Sequence, residues 1–221
     1  MQALELLERV RSRLDDSAEP YLWADDELLG YLSRAEAEAA VRASLLPFDT
    51  RDASPVIEPI AIVAGTREYA LDPRVLRLDR AWLADDNRRL ALIGEDEMDR
   101  ASGGDWETLA GTPVTAVLWA DRLRLVPIPD AAGTLHASGV RLPAGPLTLE
   151  GAPEIAPVFH LDLVDWALHL AYLKNDAETL NREKAADAAA RFERVFGPRL
   201  TADQYRKRHE RRARTVAYAG Y

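Results

Sequence analysis

Cysteine is absent from this chain of 221 residues. Disulfide bonds, thiolate metal sites and cysteine nucleophiles are therefore excluded, as is usual in a reducing cytoplasm. Long apolar runs are also missing at the N-terminus, where Glu5, Glu8 and Arg9 interrupt the first hydrophobic stretch. We therefore expect neither a signal peptide nor a membrane span. Because 48% of the residues are hydrophobic, we predict a soluble globular protein.

Positive charge is scarce except at the C-terminal end. Residues 204–221 carry six Lys and Arg and one acid, a net charge of +5 with His neutral. The rest of the chain has 22 basic and 36 acidic residues, a net charge of -14. We refer to residues 201–221 as the C-terminal arm. Nonspecific nucleic-acid binding is disfavoured everywhere but in this arm.

The order of patterns predicts an α+β fold. Helical periodicity occupies residues 1–55 and returns in residues 158–200, whereas residues 56–157 contain short strand-like runs separated by Pro and Gly. Two helices alone bury too little apolar surface to be stable. We therefore predict that the N- and C-terminal helices form one helical bundle, with an antiparallel β-rich domain inserted between them and the arm following.

The first two helices have clear patterns. Leu4, Leu7, Val10 and Leu14 predict one apolar face of a helix that ends near Asp15. The second helix is predicted to begin with Asp25 as its N-cap and to end before Pro47. Its predicted apolar stripe consists of Leu28, Leu32, Ala35, Ala39 and Leu46.

Residues 55–157 contain ten prolines, and strand candidates lie between them. The short runs IAIVA, VLRLDRAWL, RRLALIG, TAVLWA, RLRLVPIP and PLTLEG predict strands of four to eight residues. The stretch VLWADRLRLVPIP predicts a hairpin that turns at Ala120-Asp121.

The C-terminal helices follow. Leu163, Trp166, Leu170 and Leu173 predict one apolar helix face, and Asn175 with Glu178 predicts the start of the next helix. Gly197-Pro198 is the expected stop. Thr201 and Gln204 predict a capping box, so the arm should open as a helix.

One cluster of possible metal ligands occurs, in HLDLVDWALH. Asp162, Asp165 and His169 fall on roughly one helix face, with His160 at the start. The stripe could hold a divalent metal in a hydrolase, or it could be a solvated or interhelical polar face. A helical zinc site usually has His at i and i+4 with an acid, and this pair is missing, so we favour the polar face.

No other motif predicts catalysis. There is no Gly-x-Ser-x-Gly elbow, and His136 and His209 fall in segments predicted to be loop or arm. We predict no catalytic residue, no metal and no cofactor. Trp82, Trp106 and Trp119 lie in the β region, where each could be core or could face a partner, because Trp dominates interface hot spots.

Taken together, the blocks from about residue 20 to residue 200 resemble the head-to-tail adaptor proteins of tailed bacteriophages. The most specific features are Trp-x-Asp-x-Glu-Leu, Tyr-x-Leu-Asp-Pro and the helix around Trp166 with Asn175-Asp176. The first motif comprises Trp23, Asp25, Glu27 and Leu28, and the second comprises Tyr69, Leu71, Asp72 and Pro73.

The resemblance implies a structural protein of the virion, assembled in the bacterial host cytoplasm without a membrane. It implies self-association into a twelve-subunit ring beneath the portal protein, with the far side facing tail or nozzle proteins and DNA only passing through the channel. In that family the C-terminal arm commonly docks into the portal. The predicted portal-binding residues are Tyr205, Arg206, Lys207, Arg208, Arg211, Arg212, Arg214, Tyr218 and Tyr221.

In a second hypothesis, the arm binds nucleic acid. Lys207, Arg208, Arg211, Arg212 and Arg214 would occupy an arc of about 160 degrees on a helix. Six cations could bind phosphates in a strongly salt-dependent manner. The hypotheses differ in whether the partner of the arm is a portal or a nucleic acid.

Overall fold

The computed structural model describes residues 1–102, 105–119, 121–175, 179–202 and 204. Two compact units are present. The helical unit consists of Met1–Leu46 and Leu142–Arg199, and the second unit contains Pro47–Arg141 and is termed the β unit. Among the described residues, no helix combines the length and apolarity needed to cross a membrane. The α+β fold class predicted from the sequence is confirmed.

The described residues form five α-helices and two short 3-10 turns. The 3-10 turns are Asp105–Thr108 and Pro157–Phe159. The α-helices are α1 (Ala3–Leu14), α2 (Asp25–Ala43), α3 (Glu95–Ser102), α4 (Leu163–Tyr172) and α5 (Arg182–Phe196).

Helix α1 occurs as predicted, but its buried face is rotated. Leu7 and Val10 are buried, whereas Leu4 is 50% exposed and Leu6 takes its place in the core. The helix ends at Asp15, which adopts a left-handed conformation. The prediction was wrong at Leu4 because Leu4 and Leu6 lie on opposite sides of the face formed by Leu7 and Val10, and the structure buries the side of Leu6.

Helix α2 also occurs as predicted, with a shifted cap. Ala24 is the N-cap, so Asp25 lies inside the first turn. Asp25 pairs with Arg11 of α1 instead, at 2.5 Å. The helix ends at left-handed Ser44, before Pro47. All five residues of the predicted stripe are buried.

The buried face of α4 differs from the prediction. Trp166 and Leu170 are only half-buried, and Leu173 is 45% exposed. The side chains that enter the core are Leu163, Val164, Ala167, Leu168 and Ala171. Because α4 is apolar on most sides, its sequence does not determine which side faces inward.

Helix α5 begins later than predicted. Asn181 is its N-cap and accepts a hydrogen bond from the Lys184 N–H at 2.9 Å. The predicted cap Asn175 precedes the helix, and its partner Glu178 lies outside the described residues. The stop at Gly197, which has a φ of 85 degrees, is confirmed.

Side chains from α1, α2, α4 and α5 share one hydrophobic core. Its fully buried members include Leu6, Leu32, Leu163 and Phe192. Trp23 enters the same core from the loop before α2. The helical unit therefore draws its core from both ends of the chain.

Residues 142–157 cross α2 as an irregular strap. The Leu147 N–H donates to Ser33 Oγ at 3.0 Å, and the N–H groups of Glu154 and Ile155 donate to the buried carboxylate of Glu36. The prediction of a strand at PLTLEG, residues 146–151, is wrong. Pro143, Pro146 and Pro153 restrict the backbone of this segment, and its polar groups bond to α2 instead of to a neighbouring strand.

The β unit contains eleven strands among its described residues. They are β1 (Pro47–Asp49), β2 (Ile60–Ile62), β3 (Glu68–Ala70), β4 (Val75–Leu83), β5 (Arg88–Arg89), β6 (Ala91–Gly94), β7 (Ala110–Gly111), β8 (Thr115–Trp119), β9 (Arg122–Val126), β10 (Ile128–Pro129) and β11 (Gly133–Arg141).

The five-stranded sheet is antiparallel and is centred on β11. Its order is β1-β11-β4-β5, and β2 also pairs with β11. His136 lies in β11 opposite Trp82, so the prediction that His136 is in a loop is wrong. Its Nδ1 is 3.1 Å from Thr50 Oγ1.

The four-stranded sheet has the order β3-β9-β8-β6. The predicted hairpin is confirmed, since β8 and β9 pair antiparallel up to Trp119 and Arg122. In contrast, β6 and β8 are parallel, as are β7 and β10 in a separate small sheet. Helix α3 lies in the connection from β6 to β8, because parallel neighbours require a crossover.

Candidate interaction surfaces

The nine predicted portal-binding residues, Tyr205 to Tyr221, lie outside the described residues. The beginning of the arm is described. The Thr201 N–H donates to Gln204 Oε1 at 3.0 Å, and the Gln204 N–H donates to Thr201 Oγ1 at 3.2 Å. Ala202 and Gln204 are helical. The predicted capping box is therefore confirmed, and the arm opens at a helix N-terminus.

The chain leaves α5 at a point that is held by α2. Arg42 Nη1 donates to the Gly197 carbonyl at 3.1 Å. The same guanidinium pairs with Glu38, one turn earlier on α2, at 2.8 Å. Arg199, just after the helix stop, has its Nε 3.5 Å from Glu38 Oε1. The Glu38 carboxylate thus contacts two cations, Arg42 on α2 and Arg199 just before the arm.

Arg42 itself is enclosed by aromatic rings. Only 3% of its side chain is exposed. Its Cζ lies 4.6 Å from the centre of the Trp166 ring and 5.1 Å from that of Phe192. Glu38 and Arg42 stand at i and i+4, which indicates a helical ion pair from sequence alone. Nothing local indicates the bond to Gly197.

Three of the four candidate metal ligands around α4 bond to other parts of the helical unit, namely Asp165, His169 and His160. Asp165 accepts from Arg191 at 2.8 Å and pairs with Arg13 at 3.1 Å. His169 Nδ1 lies 2.9 Å from the Ala185 carbonyl. Burial, followed by the charge of Asp165, raises the pKa of Asp162.

His160 is buried, and its two ring nitrogens contact the Met1 amino group and the Ile155 carbonyl. Within the part of the chain that the structure describes, no group of three or more metal-ligating side chains is found. The contacts support the interhelical polar face, which joins α4 to α1 and α5.

The three tryptophans of the β unit have different environments. Trp106 is 2% exposed and donates through Nε1 to Asp99 at 2.8 Å. Trp82 is buried beneath Arg51, whose Cζ is 3.9 Å from the ring centre. Trp119 is 44% exposed at the end of the β8–β9 hairpin. Trp119 is therefore the one of these three that presents a large ring to solvent.

Trp119 stacks on an arginine that belongs to an ion-pair network. The Arg124 Cζ lies 4.3 Å from the centre of the Trp119 ring. Arg124 pairs with Glu68 at 3.0 Å and with Glu95 at 2.6 Å. Desolvation opposes the ionisation of Glu68, but the neighbouring arginines, Arg124 foremost, outweigh it and lower the pKa of Glu68. The ring is thus held in place at the surface, as a contact residue for a partner would be.

In the described part of the chain, these features are surfaces and the point at which the arm begins, and they do not form an assembled reaction centre. A family model for the SU10 adaptor protein matches residues 1–217. The chain belongs to the SU10 adaptor protein family. This is a family of phage head-to-tail adaptors, so the resemblance found over residues 20–200 is confirmed.

As an SU10 adaptor, the chain has a structural role in the phage virion. The matched range includes α1 and most of the C-terminal arm, beyond the blocks that carry the sequence resemblance. A comparison with curated proteins finds no match.

Proposed function

We propose that this SU10 adaptor forms a twelve-subunit ring beneath the portal and links the capsid to the tail. The family match over residues 1–217 is the observation that carries this proposal. The ring presents its far side to tail or nozzle proteins, and DNA passes through its channel. The four helices that share one core form the bundle of each subunit, with the β unit inserted between its two halves.

The C-terminal arm is the portal-docking element in this proposal. Its residues 204–221 carry a net charge of +5, which contrasts with the -14 of the remaining chain. An acidic groove between portal subunits would attract such a segment, and attraction of this kind is strongest at low salt. The capping box at Thr201 and Gln204 supports a helical start for the docking segment.

Ring closure depends on the portal in this proposal. Subunit bodies of net charge -14 repel one another until a partner compensates the charge. Three exposed apolar side chains of the helical unit are available for contact with a second copy, namely Leu22, Leu173 and Leu180, each 41–45% exposed. Light scattering should therefore find a monomer or weak oligomer without portal, and a stable dodecamer would contradict this step.

The competing function is nucleic-acid binding through the arm, which its six basic residues favour. A gel shift with duplex DNA at physiological salt separates the two functions. The adaptor proposal predicts no complex at concentrations at which the portal binds.

Electron microscopy of the purified protein mixed with its portal tests the proposal as a whole. We expect one ring docked at one end of the portal. Portal particles without additional density, under conditions where both proteins are folded, would contradict the proposed function.

A further inference from the structure

We propose that Glu38 and Arg42 of α2 form an anchor that fixes the first residues of the C-terminal arm, with Arg199 as the residue held. This inference rests on the proposed function only for its biological purpose. The anchor itself consists of contacts within the helical unit. It makes α2 the element that determines where the arm leaves the subunit.

Arg42 provides the fixed point of the anchor. It is buried among Trp166, Phe192 and Glu38. Its guanidinium bonds through Nε and Nη2 to Glu38 and through Nη1 to the Gly197 carbonyl. A charge-assisted hydrogen bond from a planar, enclosed guanidinium has one favourable geometry. The position of its partner, the Gly197 carbonyl, is therefore fixed relative to α2.

Gly197 is a suitable point of attachment. The last carbonyls of a helix have no intrahelical donor and need partners from elsewhere. The Gly197 N–H still donates to the Glu193 carbonyl at 2.8 Å, so the residue ends α5 while its own carbonyl points to Arg42. Arg42 thus acts as a C-terminal cap supplied by another helix.

Arg199 adds a weaker, reversible contact. Its side chain is 76% exposed, and its distance to Glu38 is 3.5 Å. Exposed pairs of this kind are weak and are screened by salt. Thr201 follows Arg199 by only two positions, a span of at most about 7 Å. Holding Arg199 therefore restrains the position of the arm's first helical turn.

Backbone amide hydrogen exchange of the free, full-length protein tests the anchor without any portal. Arg199→Ala should accelerate exchange of the Thr201 and Gln204 amides about two- to fivefold, the range expected for loss of an exposed pair. Glu38→Gln should have at least this effect. The matched control is Arg194→Ala, which removes an exposed arginine of α5 whose guanidinium bonds only to the Ala190 carbonyl in the described chain.

The salt dependence of exchange at the Thr201 and Gln204 amides provides a second test. In about 1 M NaCl the wild-type amides should exchange as fast as those of Arg199→Ala, because the pair is then screened. If Glu38→Gln does not fold, owing to the charge left on buried Arg42, Arg199→Ala alone decides, since Arg199 is exposed. Equal exchange in Arg199→Ala and Arg194→Ala would overturn the proposal. A protein lacking the arm that still binds portal would contradict the proposed function and leave the exchange result intact.

Discussion

A single buried arginine, Arg11, stabilises the loop between α1 and α2. Arg11 is 6% exposed and donates to Asp16 at 2.6 Å and to the Trp23 carbonyl at 2.8 Å. Asp16 in turn accepts from the Leu22 N–H at 2.8 Å. Two buried opposite charges and the backbone of the loop thus stabilise one another. The connection between α1 and α2 is closed by this arginine.

Replacing Arg11 by alanine should lower the free energy of unfolding by about 3 kcal/mol, because Asp16 stays buried without its charged partner. Urea denaturation followed by tryptophan fluorescence measures the change. Arg9→Ala, an exposed arginine of the same helix, should change stability by less than about 0.5 kcal/mol. Equal losses in the two variants would contradict this account.

Asp72 organises the Tyr-x-Leu-Asp-Pro turn. Its Oδ1 accepts from the Arg74 N–H at 2.8 Å, and its Oδ2 pairs with the Arg74 guanidinium at 2.7 Å. The hydrogen bonds from the Arg74 side chain are the main cause that lowers the pKa of Asp72 below its ordinary value of 3.8. The motif therefore acts through a local ion pair that closes the turn.

Asp72→Asn should cost about 1 kcal/mol at pH 7, where the wild-type carboxylate is charged in both the folded and unfolded states. The stabilisation from a lowered pKa is present above pH 3.8 and is lost as the pH falls through the folded-state value. The difference between variant and wild type should therefore shrink on acidification. Urea titrations at a series of pH values below 7 check this. A gap that stays constant to pH 2 would exclude the ionic role of Asp72.

At the scale of elements, strands with strong β-formers were predictable and the central strand was not. VLRLDRAWL forms β4 with the bounds that its pattern indicates. Strand β11 was missed because Gly133, Ser138 and Gly139 dilute its apolar alternation. Its partners on both sides, β1 and β4, supply the stabilisation that its own composition lacks.

Helix α3 was not predicted and the strap was predicted as a strand, for two different reasons. Helix α3 has no buried residue, so its sequence lacks the apolar period that identifies a helix. The strap has apolar residues at alternate positions, Leu147 and Leu149, which indicate a strand. Leu147 is buried in the helical core and Leu149 is 43% exposed. Its bonding to Ser33 and Glu36 joins segments more than 100 residues apart, which no local pattern can show.

Gly139 permits the approach of β4 to β11. A Cβ at this position would lie 1.9 Å from the Arg77 carbonyl oxygen, which is fixed backbone. Gly139→Ala should therefore destabilise the β unit by at least about 2 kcal/mol. Gly30→Ala, in the middle of α2 with no atom near the added methyl group, should stabilise by about 0.5–1 kcal/mol. Thermal unfolding of the two variants measures both effects, and a neutral Gly139→Ala would contradict the close approach.

For the whole molecule, the sequence predicted the charge contrast, the capping box and the family, because each is a local or compositional feature. The anchor was not predictable. Arg42 and Gly197 lie 155 residues apart, and only the packing of α2 against the end of α5 brings them together. Such a contact depends on tertiary structure, so no local pattern in the sequence indicates it.

We propose that the arm joins the adaptor to the portal, and sedimentation of the portal with full-length or truncated protein tests this. Truncation after Leu200 should leave the helical unit folded, because Gly197 already ends α5, and circular dichroism checks this. The charge-reversed variant Arg208→Glu, Arg211→Glu, Arg212→Glu keeps the length of the arm but reverses part of its charge. Its loss of portal binding relative to the wild type should be largest at low salt. We expect the full-length protein to travel with the portal and the truncated protein to remain at the top of the gradient. If the truncated protein travels with the portal as well as the full-length chain does, the arm is not the docking element and the account is wrong.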